Sequence, residues 1–114
     1  MAISFGSIGT VCATFQGTTA LTPGTICKMA VNGTVSACSA GDAFLGCVEN
    51  SDGLLHAVTV RGFITVSYTG TLPSYGINKL SADGNGGLQV DKENGQAYWI
   101  FQLHTVNKTI TILL

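Results

Sequence analysis

One stretch limits the possible folds more than any other, residues 54–68, LLHAVTVRGFITVSY. Leu54, His56, Val58, Val60, Ile64, Val66 and Tyr68 fall on one side, and Leu55, Ala57, Thr59, Arg61, Phe63, Thr65 and Ser67 on the other. A period of two, rich in β-branched residues, belongs to strand with one face on a core. Gly62 interrupts the pattern, and a glycine inside a strand marks a bulge, a tight bend or a barrel corner. The stretch therefore reads as a central bent strand or a tight strand pair of an all-β domain.

Turn signals divide the rest of the chain into short strands. Thr22-Pro23-Gly24 opens a turn, because proline presets φ and glycine supplies positive φ. Residues 25–31 then form a strand, Asn32-Gly33 a hairpin turn, and residues 34–38 the return. A turn at 39–42 precedes a strand over 43–49 and a loop over 50–53. After the long stretch, 69–76 is a loop with Gly70, Pro73 and Gly76. Residues 77–82 fit a strand or a single helical turn. Asp83–Gly87 is the loosest-looking spot. Strands follow at 88–91, 97–105 and 109–114. About eight short strands separated by turns indicate a small compact β-barrel or sandwich. No segment carries a 3.6 period, and no internal repeat is visible. The expected core includes Val58, Val60, Ile64, Val66, Ile100 and Leu103.

Residues 1–22 are rich in Gly, Ser, Thr and Ala and read as an extended N-terminal arm, with room for a short strand around 10–15. Residues 23–114 read as a single barrel-like domain. The arm holds scattered bulky groups, and Phe5, Ile8 and Phe15 are its candidate partner contacts. Such a segment cannot offset its ordering entropy alone but can along the sheet edge of a partner. The alternative is that residues 11–15 form the first barrel strand and the rest is a tail.

Composition narrows the function. The 114 residues are 46% apolar and only 10% charged, with net charge −1. Sparse charge weakens the defence against self-association, so the chain suits an assembly. Five basic residues without a cluster argue against nucleic acid. No apolar run reaches the roughly 18 residues of a membrane span, and the start lacks the charged and apolar blocks of a secretory leader. Synthesis in a cytosol is expected. Cys12, Cys27, Cys38 and Cys47 form no CxxC pair, so a zinc site is disfavoured. Reduced, structural thiols are the expectation.

Other chemistry is absent from the pattern. His56 lies on the apolar face of its strand and reads as a packed, hydrogen-bonded histidine, while His104 reads as solvated. Asp83-Gly84-Asn85 begins like a calcium loop, but Gly87, Leu88 and Asn94 stand where ligands and the turn glycine belong. No nucleophile elbow, P-loop or dinucleotide fingerprint occurs. A non-enzymatic protein without a cofactor is expected. In YWIFQL, Trp99, Phe101 and Leu103 share one face and Tyr98 and Ile100 the other. A strand apolar on both faces lies inside the fold or at a contact.

Five short motifs occur in a recognisable order. They are Thr22-Pro23-Gly24-Thr25-Ile26-Cys27-Lys28, Ala40-Gly41-Asp42-Ala43-Phe44-Leu45-Gly46-Cys47-Val48, Ala57-Val58-Thr59-Val60-Arg61-Gly62-Phe63, Ser74-Tyr75-Gly76 and Leu80-Ser81-Ala82-Asp83-Gly84. Over about residues 20–114 the chain resembles the small capsid decoration, or cement, proteins of tailed bacteriophages and prophages. The resemblance implies a compact β-barrel bound to the outside of a major capsid protein shell, often as a trimer. It also implies a virion location after synthesis in the bacterial cytoplasm, with no catalysis and no cofactor. The four cysteines and the Gly/Thr-rich arm depart from the pattern. A phage fibre or tail accessory module and a small-ligand-binding β-barrel are the alternatives.

Overall fold

A computed structural model describes residues 9–17 and 19–114; Phe5 and Ile8 lie outside them. The fold is all-β: ten strands, with no helix among the described residues. They are β1 (Val11–Gly17), β2 (Ile26–Val31), β3 (Thr34–Ala37), β4 (Gly46–Asp52), β5 (Leu55–Arg61), β6 (Phe63–Thr69), β7 (Gly76–Ala82), β8 (Leu88–Val90), β9 (Gln96–His104) and β10 (Thr109–Leu113).

The strands close into two small barrels rather than one. The first runs β1-β3-β2-β4-β5, the second β6-β8-β7-β9-β10. Closure pairs every strand on both sides and removes the free edges that invite aggregation. The long alternating stretch divides at Gly62, where β5 ends and β6 begins. Gly62 holds φ +112°, and an added Cβ would lie 3.0 Å from the Thr10 backbone. Only glycine turns the chain there from one barrel into the other.

The barrels have the same topology. The parallel pair β1/β3 matches β6/β8, and the antiparallel pairs β2/β3, β2/β4, β4/β5 and β1/β5 match β7/β8, β7/β9, β9/β10 and β6/β10. Even an irregularity recurs. Glu49 is the extra residue between the Val48–Val58 and Asn50–Ala57 pairs, and Phe101 that between Ile100–Ile112 and Gln102–Thr111. The segment Ile26-Cys27-Lys28-Met29-Ala30-Val31-Asn32-Gly33 aligns without a gap on Ile77-Asn78-Lys79-Leu80-Ser81-Ala82-Asp83-Gly84. The chain is thus a structural tandem repeat, which the sequence reading missed.

The alternating face packs inward as expected. His56 and Val58 are fully buried in barrel one, and Ile64, Val66 and Tyr68 are buried in barrel two. Ile100 is buried as well, whereas Val60 and Leu103 are half-buried against the two cores. Barrel one is filled by Leu21, Cys27, Val35, Val48 and Val58. Barrel two's core extends across the junction to take in Ile26, Cys38, Phe44 and Cys47.

Residues 11–17, placed in the arm by the sequence reading, are β1, paired with β5 from Val11–Arg61 to Gln16–Leu55. Residues 43–45 are not strand; this loop carries Phe44 onto barrel two, where its ring stacks on Tyr98 at 4.9 Å. The docking is completed by backbone bonds: Gly41 N donates to Ala82 O (2.8 Å), Ala82 N to Asp42 O (3.0 Å) and Ile26 N to Gly86 O (3.0 Å). Asp83–Gly87, the loosest-looking spot in the sequence, is therefore part of the contact between barrels.

Candidate docking surface

Phe15, the one expected contact residue among those described, lies opposite His56 in the β1/β5 ladder. It is half-buried against the barrel-one core. Its side chain supports barrel one, not an arm.

The polar groups singled out in the sequence serve local structure. His56 is fully buried. Its Nδ1 lies 2.7 Å from Ser51 Oγ, its Nε2 lies 3.3 Å from the Thr19 carbonyl, and Ser51 Oγ donates to Leu21 O at 3.1 Å. The imidazole thereby ties the 19–21 segment to barrel one. The corresponding pair in barrel two is apolar, Leu103 opposite Ile110. Gly17 makes room for the ring, since a Cβ there would come 2.5 Å from Nε2. His104 is exposed at the end of β9.

The acids are engaged in the same way. Asp83 Oδ1 accepts the amides of Asn85 (2.6 Å) and Gly87 (3.1 Å), and its Oδ2 accepts from Thr69 Oγ1 (3.0 Å). Its carboxylate closes its own loop. Asp42 accepts from Lys28 Nζ (2.6 Å) and the Ser39 amide (2.9 Å), which hold its carboxyl below the usual range, and the bond to Asp42 in turn raises the pKa of the Lys28 ammonium. Asp91, bonded by the Asn94 amide and by the Ser81 hydroxyl, also lies below the usual range. Among the described residues no three His, Cys, Asp or Glu groups are placed to hold a metal ion.

Cys27, Cys38 and Cys47 are free and buried, whereas Cys12 is free and exposed. Burial pushes the thiols of Cys27 and Cys47 up to about 12 and that of Cys38 to about 11. Thiolate is the nucleophile, so these three are inert near neutrality. Iodoacetamide at pH 8 is expected to modify Cys12 alone in the native protein and all four cysteines after denaturation without reductant. Because the folded thiols titrate above the ordinary value of 9.0, their stabilising effect is complete below that pH and is lost as pH rises toward 12. A denatured count of two thiols or none would refute the structural role.

The remaining candidate is apolar surface. A hollow of about 220 Å³, lined by Thr14, Asn50, Ser51, Asp52, Leu55 and Ala57, lies on the outer wall of barrel one. It is smaller than the roughly 300 Å³ at which small-molecule pockets begin. Barrel two carries a larger feature. Across its outer wall the ladder aligns Ile77, Trp99, Leu113 and Phe63 in one row spanning four strands. Ile77 is 58% exposed and Trp99 52%. Phe101 packs edge-on against Phe63 at 5.0 Å beside them, and Tyr75 is exposed just before β7. Exposed apolar patches of this kind mark contact sites. YWIFQL signalled it in the sequence by being apolar on both faces. Ile77 gave no such signal, because its exposure depends on pairing with Trp99.

No protein-family model matches the chain, and no curated protein matches it.

Proposed function

We propose that this is a structural virion protein that binds the outer surface of a phage capsid and stabilises it, as a decoration or cement protein. Its partner is the major capsid protein, and it acts as a homo-oligomer, with a trimer favoured. The observation that supports this most is the combination of two closed, low-charge barrels with a wide apolar outer row, Ile77-Trp99-Leu113-Phe63. Such a body offers a rigid contact face without an edge that would polymerise. The resemblance through the glycine-based motifs points the same way. A small-ligand barrel is less well supported, since both interiors are filled by side chains.

Co-sedimentation with purified capsid shells tests the reading, with the intact protein expected to pellet with shells and not alone. Attachment through residues 1–9 makes a second expectation: deleting them leaves the melting temperature unchanged and abolishes pelleting. An intact protein that stays in the supernatant would overturn the function. Binding that survives the deletion while the melt drops would overturn the arm's role.

A further inference from the structure

The two barrels meet through unlike surfaces. Barrel one contributes the outward side chains at its β2/β4 pair, Ile26 opposite Cys47, which are 1% and 4% exposed in the contact. Barrel two contributes the end of β7 and the β7–β8 loop, where Ala82 O accepts from Gly41 N, Ala82 N donates to Asp42 O and Gly86 O accepts from Ile26 N.

Because the chain is a tandem repeat, each barrel has both kinds of surface, and one of each remains uncovered. On barrel two the counterpart of Ile26–Cys47 is Ile77–Trp99. In both barrels this pair extends the same cross-strand row, from Ile26 through Cys47 and Thr59 to Cys12, and from Ile77 through Trp99 and Leu113 to Phe63. On barrel one the counterpart of the covered end is the end of β2 and the β2–β3 turn, where Val31 aligns with Ala82 and Gly33 with Gly84. Its apolar residues are open: Met29 is 44% exposed and Val31 68%.

We propose that a second copy of this chain docks head to tail, its Met29–Val31 end seated on the Ile77–Trp99 face of the first. The intermolecular contact would continue the one already made within each chain. It lacks a counterpart of Phe44, because only residues 91–95 join β8 to β9. Trp99 supplies bulk where barrel one has Cys47. A contact between unlike surfaces builds a ring if its rotation closes and a string if it does not. The inference rests on the homo-oligomer of the proposed function and assigns the Ile77–Trp99 part of the outer row to a neighbouring copy; measured without shells, its failure is distinct from a failure to bind capsid.

Sedimentation velocity across a concentration series, without shells, tests it. The wild type is expected to associate, and Trp99→Lys and Val31→Asp are each expected to remain monomeric at concentrations about tenfold higher. An equimolar mixture of the two variants should give a dimer and nothing larger, because it retains one intact contact. Trp99 is the sole tryptophan, so its emission should shift to the blue as the wild type assembles and should not shift in Val31→Asp. Unchanged urea midpoints identify both variants as folded, and Ile77→Lys and Met29→Asp substitute for either that is not. A wild type that is monomeric throughout would overturn the proposal. So would variants that stay monomeric when mixed, or association lost with Trp99→Lys alone, which would indicate a face-to-face contact.

Discussion

Replacing Gly46 by alanine is expected to destabilise the protein by more than about 4 kcal/mol, the range reserved for severe backbone or core disruption. Gly46 opens β4 and pairs with Cys27. A Cβ at this position would lie 2.0 Å from the carbonyl oxygen of Thr59 and 3.1 Å from Val58 Cγ1. The first obstacle is backbone and cannot rotate away. Relief requires moving β5 at the point where Val58 is fully buried and Thr59 is 1% exposed. Interiors packed this densely transmit such a displacement instead of absorbing it. Gly53→Ala is the matched control. Its φ of +63° penalises a side chain by about 1 kcal/mol, but nothing lies within 4 Å of the added carbon. Urea denaturation of both variants checks the contrast. Equal losses would show that Gly46 is kept for backbone freedom and not for the close approach of β4 to β5.

The strands were legible in the sequence because turn chemistry is local. Asn32-Gly33, the Gly62 break and the Asn94-Gly95 turn all lie between consecutive strands of the structure. The repeat was not legible, because it is conserved in hydrogen bonding rather than in side chains. Barrel one fills its interior with a Ser51–His56 pair where barrel two uses Leu103 and Ile110. Gly17 and Tyr68 accept equivalent positions, each donating its amide to the β-turn that follows the barrel's fourth strand. Polar and apolar solutions to the same packing problem leave little shared pattern. The bulge at Phe101 explains another difference. An extra residue reverses the phase of alternation, so Leu103 turns toward the core while Trp99 stays outside. Strict alternation had placed the two on one face. The docking surface was half visible for the same reason: the aromatic strand stood out, whereas the Ile77 row and the Val31 end exist only once both barrels have closed.

Truncating Phe44 to alanine should test how far the two barrels act as one unit. Phe44 belongs to the loop between β3 and β4, yet it is buried with the core of barrel two and stacks on Tyr98. Loss of a buried phenylalanine ring costs about 3–5 kcal/mol, depending on how far the site collapses. Collapse is limited here, because the loop is held by the Gly41–Ala82 and Ala82–Asp42 backbone bonds on one side and by the Lys28–Asp42 ion pair on the other. Barrel one has its own core, Leu21, Cys27, Val35, Val48 and Val58, which does not include Phe44. The loss should therefore fall on barrel two and on the junction. Below the concentration at which copies associate, Trp99 emission reports barrel two alone, whereas far-ultraviolet circular dichroism reports both barrels. In the wild type the two signals should change together on urea titration. In Phe44→Ala the Trp99 transition should move to lower urea and separate from the circular dichroism transition. A Tyr98→Phe control, which keeps the stacked ring, should leave both transitions near their wild-type positions. Coincident transitions in Phe44→Ala, with a loss below about 1 kcal/mol, would mean that the backbone bonds alone join the barrels and the ring only fills space.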